Sequence, residues 1–168
     1  MSIPVMILLG YAAWTLLILV GSIGIYRWSC IVTGRASIAE WRADLPQGSD
    51  WYQRAMRAHM NCVENLPIYT AIVVALMATC LQGSTIDHLA IAILPARIGQ
   101  TLTHIVLPPT NAVTSLRFGF FCIQLACMIS IGAIITADIL PRMTSVNGRA
   151  PRRRESSAEE DSTRRGVD

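Results

Sequence analysis

Apolar positions gather into four long runs separated by short polar stretches. The first runs from Ile3 to Ile25. The second joins a polar segment, Trp51 to Tyr69, without a break to an apolar one, Ile68 to Leu81. The third covers about Ile86 to Leu107 and the fourth about Ser115 to Leu140. As helices rising about 1.5 Å per residue, each can cross a hydrocarbon core of about 30 Å. The pattern predicts four spans, at about 3–25, 51–81, 86–107 and 115–140.

The breaks between the runs have their own chemistry. Tyr26 and Trp28 beside Arg27 read as interfacial anchors. Residues 29–50 carry Gly34, Pro46 and Gly48 as breakers and Arg35, Glu40, Arg42, Asp44 and Asp50 as charges, which marks a solvent-exposed connection. Ser49 or Asp50 suits the cap of the second helix, and Pro67 lies inside that helix. Gln82-Gly83-Ser84-Thr85 is long enough only for an antiparallel helical hairpin. Pro108-Pro109-Thr110-Asn111 stops the third helix, and Pro141 is expected to end the fourth. Residues 142–168 turn polar, with Arg152-Arg153-Arg154 and Glu159-Glu160-Asp161 blocks, and read as a disordered tail. The expected organisation is therefore one four-helix transmembrane domain at 1–141 followed by that tail.

Composition agrees with this class. Of the 168 residues, 52% are hydrophobic and 15% charged, and the mean hydropathy is positive. The opening run lacks a basic leader and a small-residue cleavage pattern, so it reads as a retained helix. Every cationic residue is Arg, and the net charge of +3 is spread too unevenly to inform. Arginines in the first connection and in the tail pull the orientation both ways. The usual dominance of the first helix favours a cytoplasmic first connection, and in a bacterial host the inner membrane. The odd set Cys30, Cys62, Cys80, Cys122 and Cys127, without a CxxC, argues for small buried hydrophobes rather than a disulfide framework. Nucleic-acid binding does not fit such a chain.

The candidate chemistry lies in the polar half of the second helix. Arg54, Arg57, Asn61 and Glu64 fall within an arc of roughly 80°. Two guanidiniums, an amide and a carboxylate thus share one helix face, an expensive arrangement in a bilayer unless paired or used. His59 points nearly the opposite way. Arg97, Gln100 and His104 share a face of the third helix, and Arg97 is expected inside the bundle with Glu64 as its most obvious partner. Arg117 opens the fourth helix with Gln124 seven residues on, and Phe118, Phe120 and Phe121 cluster near its start. No histidine has companions at metal-ligand spacing.

The segment Arg54-Ala-Met-Arg57-Ala-His59-Met-Asn61-Cys-Val-Glu64-Asn-Leu-Pro67 resembles the signature of the MAPEG superfamily. These are the membrane-associated proteins of eicosanoid and glutathione metabolism, with a pattern close to R-x-x-R-A-H-x-N-x-x-E-x-x-P. Ile31-Val-Thr-Gly-Arg35 and Ala96-Arg97-Ile98 are weaker echoes. The resemblance covers the four spans and implies a homotrimer of four-helix subunits, with glutathione held between neighbours near a membrane face. It assigns Arg57, Asn61 and Glu64 to the polar ends of the tripeptide, with Arg54 and Arg97 beside them. Two carboxylates and an ammonium suit arginine forks and a glutamate. A thiolate needs cationic neighbours, and Arg117 or His104 are the candidates to stabilise it.

The sequence also departs from that pattern. His104 stands where many members have tyrosine, Gln100 where several have histidine, and Ala112 where an arginine tied to thiol activation is expected. Three readings are open. The first is a glutathione-dependent transferase or peroxidase acting on hydrophobic electrophiles or lipid hydroperoxides drawn from the membrane. The second is a non-catalytic protein of the same fold that binds a lipid or an anionic metabolite. The third is a small transporter with an Arg–Glu relay. Against all three, the polar stripe has a plain alternative as a seam locking helices and subunits together.

Overall fold

The computed structural model describes residues 1–41 and 48–147. Four helices account for most of them: α1 Ile3–Val32, α2 Asp50–Thr79, α3 Ser84–Val106 and α4 Asn111–Asn147. Each is long and apolar enough to cross a membrane. A short 3₁₀ turn, Ile38–Glu40, sits in the first connection. The helices pack as an antiparallel bundle in which α3 and α4 share the largest interface, and α1 lies against α2 and α3.

Local chemistry explains the helix ends. Ser49 caps α2 by accepting from the Tyr52 N–H at 3.4 Å, and Asp50 adds a negative charge to its first turn. At the other end of α2, Cys80 takes a left-handed conformation (φ 53°), with the Leu81 and Cys80 N–H groups donating to Leu76 and Met77 carbonyls. That is the geometry a glycine usually supplies. Gly34 supplies it after α1: its φ is 69°, and the Arg35 N–H reaches back to the Cys30 carbonyl at 2.9 Å.

Three boundaries differ from the expected ones. Helix α1 continues to Val32, because nothing breaks it before Gly34; it carries a π-helical segment at Leu19–Gly24, where the Ser22 hydroxyl donates to the Ile18 carbonyl. Helix α4 starts at Asn111, since Thr110 caps it through the Val113 N–H at 3.3 Å. It also runs through Pro141 to Asn147. The Thr144 hydroxyl donates to the Pro141 carbonyl at 2.9 Å, and Arg142 pairs with Asp138 at 2.9 Å, so the turn around the proline keeps local partners. The remainder of the expected disordered tail, residues 148–168, lies outside the described residues, as do Arg42 and Asp44 of the first connection.

The outer surface is far more apolar than that of a water-soluble bundle, and several polar side chains are buried. Met6, Leu9, Leu16, Leu17, Val20, Val74, Met77, Phe118 and Ile129 are exposed, whereas Arg97, Gln100, Thr101, Arg117 and Gln124 are buried. With hydrocarbon outside there is no penalty for apolar surface, and polar groups do best facing one another. One apolar core joins Tyr11, Tyr69, Val73, Ile93, Met128 and Ile131. A second, of Ile18, Ile23, Tyr52, Ala55, Ala58 and Ile105, lies toward the end where α2 begins. Gly99 sets how closely α3 approaches α4. A Cβ there would lie 2.8 Å from the Phe120 ring.

The first connection is fastened to α2 by aromatic rings. Tyr26 stacks on Tyr52 with centroids 4.6 Å apart, and Trp41 packs edge-on against both. The Arg27 Nε donates to the Tyr52 hydroxyl at 2.6 Å, and its guanidinium lies over the Trp41 ring at 5.4 Å. Gly48 has φ 83°, and a Cβ there would meet the Tyr52 ring at 2.8 Å. Of the expected interfacial anchors, Trp28 is exposed, while Tyr26 and Arg27 turn inward to build this clasp.

Candidate functional site

Antiparallel packing brings the start of α2, the end of α3 and the start of α4 to one end of the bundle. Four of the candidate residues meet there: Arg54, Arg57, His104 and Arg117. The last turn of α3 organises them. Its C-terminal carbonyls have no partners within the helix and carry the negative end of the helix dipole. Arg54 donates through Nε to the Ile105 carbonyl at 3.3 Å. Arg117, only 9% exposed, donates through one Nη2 to the carbonyls of Thr103 and Leu107, both at 3.0 Å. Half-buried His104 stands within electrostatic reach of Arg117 and Arg57. The helix end thus holds two arginines that would otherwise repel each other.

Apart from Arg54, which reaches α3, the stripe on α2 faces away from its own bundle. The inward face of that helix is Tyr52, Ala55, Ala58, Cys62 and Tyr69, all buried. Arg57 and Glu64 are exposed, and Arg54 and Asn61 are half-buried. Arg57, Asn61 and Glu64 make no hydrogen bond or ion pair with any described residue, so two full charges stand unmatched on an outer surface flanked by exposed Met60, Val63 and Ile68. His59 turns toward α1, beside Thr15, on the other side from the stripe.

Arg97 does not join that stripe. It lies 1% exposed inside the bundle, and its partner is not Glu64. Its Nη1 donates to Gln100 Oε1 at 2.9 Å, and its guanidinium lies 5.3 Å from the centroid of the Tyr11 ring. Gln124 Nε2 donates to the same Gln100 oxygen at 3.1 Å and to the Phe120 carbonyl at 3.0 Å. The Thr101 hydroxyl donates to the Arg97 carbonyl and contacts the Cys62 sulfur at 3.6 Å. The reason for the separation is rotational. Glu64 points outward from α2, whereas Arg97 sits on the face of α3 that meets α1 and α4.

Sequence reasoning missed two roles. Tyr11 is a lone polar ring in an apolar run, and nothing local distinguishes it from an interfacial tyrosine. The capping role of Arg117 depends on the fold-back of α4 onto α3. The short Pro-Pro turn just before it was the available signal. Ala112 stands exposed in the first turn of α4. Among the described residues, no three His, Cys, Asp or Glu side chains gather as metal ligands.

Four apolar membrane-length helices around an apolar core that encloses Arg97, Gln100 and Gln124, with a basic end and an outward polar stripe, define a multi-pass α-helical membrane protein. The family model of the MAPEG family matches residues 5–137, and the chain belongs to that family. No curated protein and no solved structure gives a significant match.

Proposed function

We propose that this protein is a glutathione-dependent transferase or peroxidase that works on hydrophobic acceptors at the membrane. The observation that carries the reading is the outward face of α2, where Arg57, Asn61 and Glu64 have no partner within the described residues. Unmatched charges on a membrane helix call for a ligand or a neighbouring subunit. Family membership supports both together: in this reading three copies associate, and the tripeptide lies at the boundary between neighbours. Arg57 and Arg54 meet its carboxylates, Glu64 its ammonium and Asn61 its backbone amides. Arg97 is then a support of the bundle interior rather than a direct ligand.

Chemically, the bound thiol gives up its proton and the thiolate attacks. With an electrophile, a C–S bond forms as the leaving group departs. With a hydroperoxide, the O–O bond breaks to give an alcohol and a sulfenic acid, which a second thiol converts to a disulfide and water. The basic end of the bundle favours the thiolate. Arg117 has two bonds committed to α3, so His104 is the group free to turn toward sulfur.

The test is calorimetric titration of glutathione into the protein in nanodiscs, with Arg57→Ala and Glu64→Gln as controls. Saturable binding lost in both variants supports the reading and justifies an electrophile screen. No heat at millimolar ligand, with the variants still assembled, sinks it. A second reading, a binder without turnover, is favoured by the one feature that weakens catalysis: Ala112 at the position of the expected arginine, with Arg117 occupied as a helix cap. Binding retained without turnover of any electrophile would select it.

A further inference from the structure

The interior of the bundle holds a positive charge that no described residue neutralises. Arg97 sits where all four helices meet, against Tyr11 of α1, Gln100 of its own helix and Gln124 of α4, with Thr101 of α3 and Cys62 of α2 adjoining. No carboxylate among the described residues pairs with it. What surrounds it is a π face and one amide oxygen, and that oxygen already accepts twice, from Arg97 and from Gln124. Both of its lone pairs are used. Arg97 Nε and Nη2 and the Tyr11 hydroxyl are left as buried polar groups without partners. These groups offer N–H and O–H donors: two belong to the guanidinium itself, and the third is the hydroxyl of the ring beside it. The leftover acceptor in this group is Gln124 Oε1, so unpaired donors outnumber it.

A buried guanidinium with unpaired N–H groups of its own, in a low-dielectric interior, is a receptor for negative charge. We propose that the Arg97 guanidinium and the Tyr11 hydroxyl together bind a small monovalent anion of halide size, such as chloride. Size follows from packing. Tyr11, Arg97 and Gln124 are each no more than 1% exposed, and a tetrahedral oxyanion or a peptide carboxylate would have to displace side chains from all four helices. Arg97, Gln100, Thr101 and His104 form a polar track along α3 that ends among Arg54, Arg57 and Arg117. That cluster concentrates anions at this end of the bundle. The site is separate from the stripe on α2 and independent of the glutathione reading.

The experiment is thermal unfolding of the full chain in nanodiscs, in chloride or bromide against gluconate at equal ionic strength, together with anomalous diffraction from bromide-soaked crystals. A ligand that binds only the folded state raises the melting temperature saturably. The expected result is such a rise with halide, none with gluconate, and a bromide peak in contact with the Arg97 guanidinium. Arg97→Gln removes both signals, because it deletes the charge, while Arg142→Gln, at an exposed position near the far end of α4, keeps both. Equal melting in halide and gluconate, or a water in place of bromide at Arg97, overturns the proposal. So does a halide response that survives Arg97→Gln. If that variant does not fold, Tyr11→Phe decides. It keeps the ring and deletes one donor, so a several-fold weaker halide midpoint supports the site and an unchanged midpoint rejects it.

Discussion

Replacing Arg117 separates a structural arginine from a catalytic one. In Arg117→Leu, the Thr103 and Leu107 carbonyls lose charge-assisted donors at 3.0 Å, in a place that is 9% exposed. Each such bond contributes on the order of 1.5–3 kcal/mol, and a buried carbonyl left bare costs about 1–3 kcal/mol. Loss of a cation at a helix C-terminus adds up to roughly 2 kcal/mol. Part of this is returned, because Arg54 no longer faces a like charge beside it and leucine suits the apolar surroundings. A net destabilisation of about 2–4 kcal/mol is expected. The assay is equilibrium unfolding in detergent, followed by circular dichroism and run beside Arg117→Lys, which keeps the charge and recovers part of the loss. A change below about 0.5 kcal/mol, the ordinary range of a surface substitution, would refute the capping role. If stability held while glutathione turnover vanished, the role of Arg117 would be chemical instead.

Other substitutions test the packing. Gly99→Val forces the Phe120 ring away from α3 and should cost about 1–3 kcal/mol, with much of it recovered by adding Phe120→Ala in a double-mutant cycle. Tyr52→Phe deletes the acceptor of the 2.6 Å bond from Arg27 and should cost roughly 1.5–3 kcal/mol; the same loss in an Arg27→Met background would show that the bond contributes nothing. Cys80→Gly relieves a left-handed cysteine at the end of α2 and should stabilise by about 1 kcal/mol, read as a higher melting temperature.

The number and approximate extent of the helices were legible from the apolar runs. The reason is local: a helix satisfies its own backbone in hydrocarbon, so length and apolarity alone define a span. The ends were less legible. Pro141 reads as a stop, yet a proline near a helix end forfeits a single backbone hydrogen bond, and Thr144, Arg142 and Asp138 supply local contacts there. The stripe of Arg54, Arg57, Asn61 and Glu64 was visible because all four share one helix and their angular relation follows from spacing. Family membership was visible in the same segment, whose residue order carries it.

Relations between helices were a different matter. That Arg57 and Glu64 face outward, that Arg97 turns inward to Gln100, Tyr11 and Gln124, and that Arg117 caps α3 depend on how each helix rotates about its axis. The linear pattern leaves that rotation open, because lipid accepts apolar side chains on any face. Close packing settled it, through contacts such as Gly99 against Phe120 and Gly10 against Leu94. The sequence therefore determined which polar residues this membrane protein carries and on which helices. Tertiary structure decided which of them face one another and which face outward.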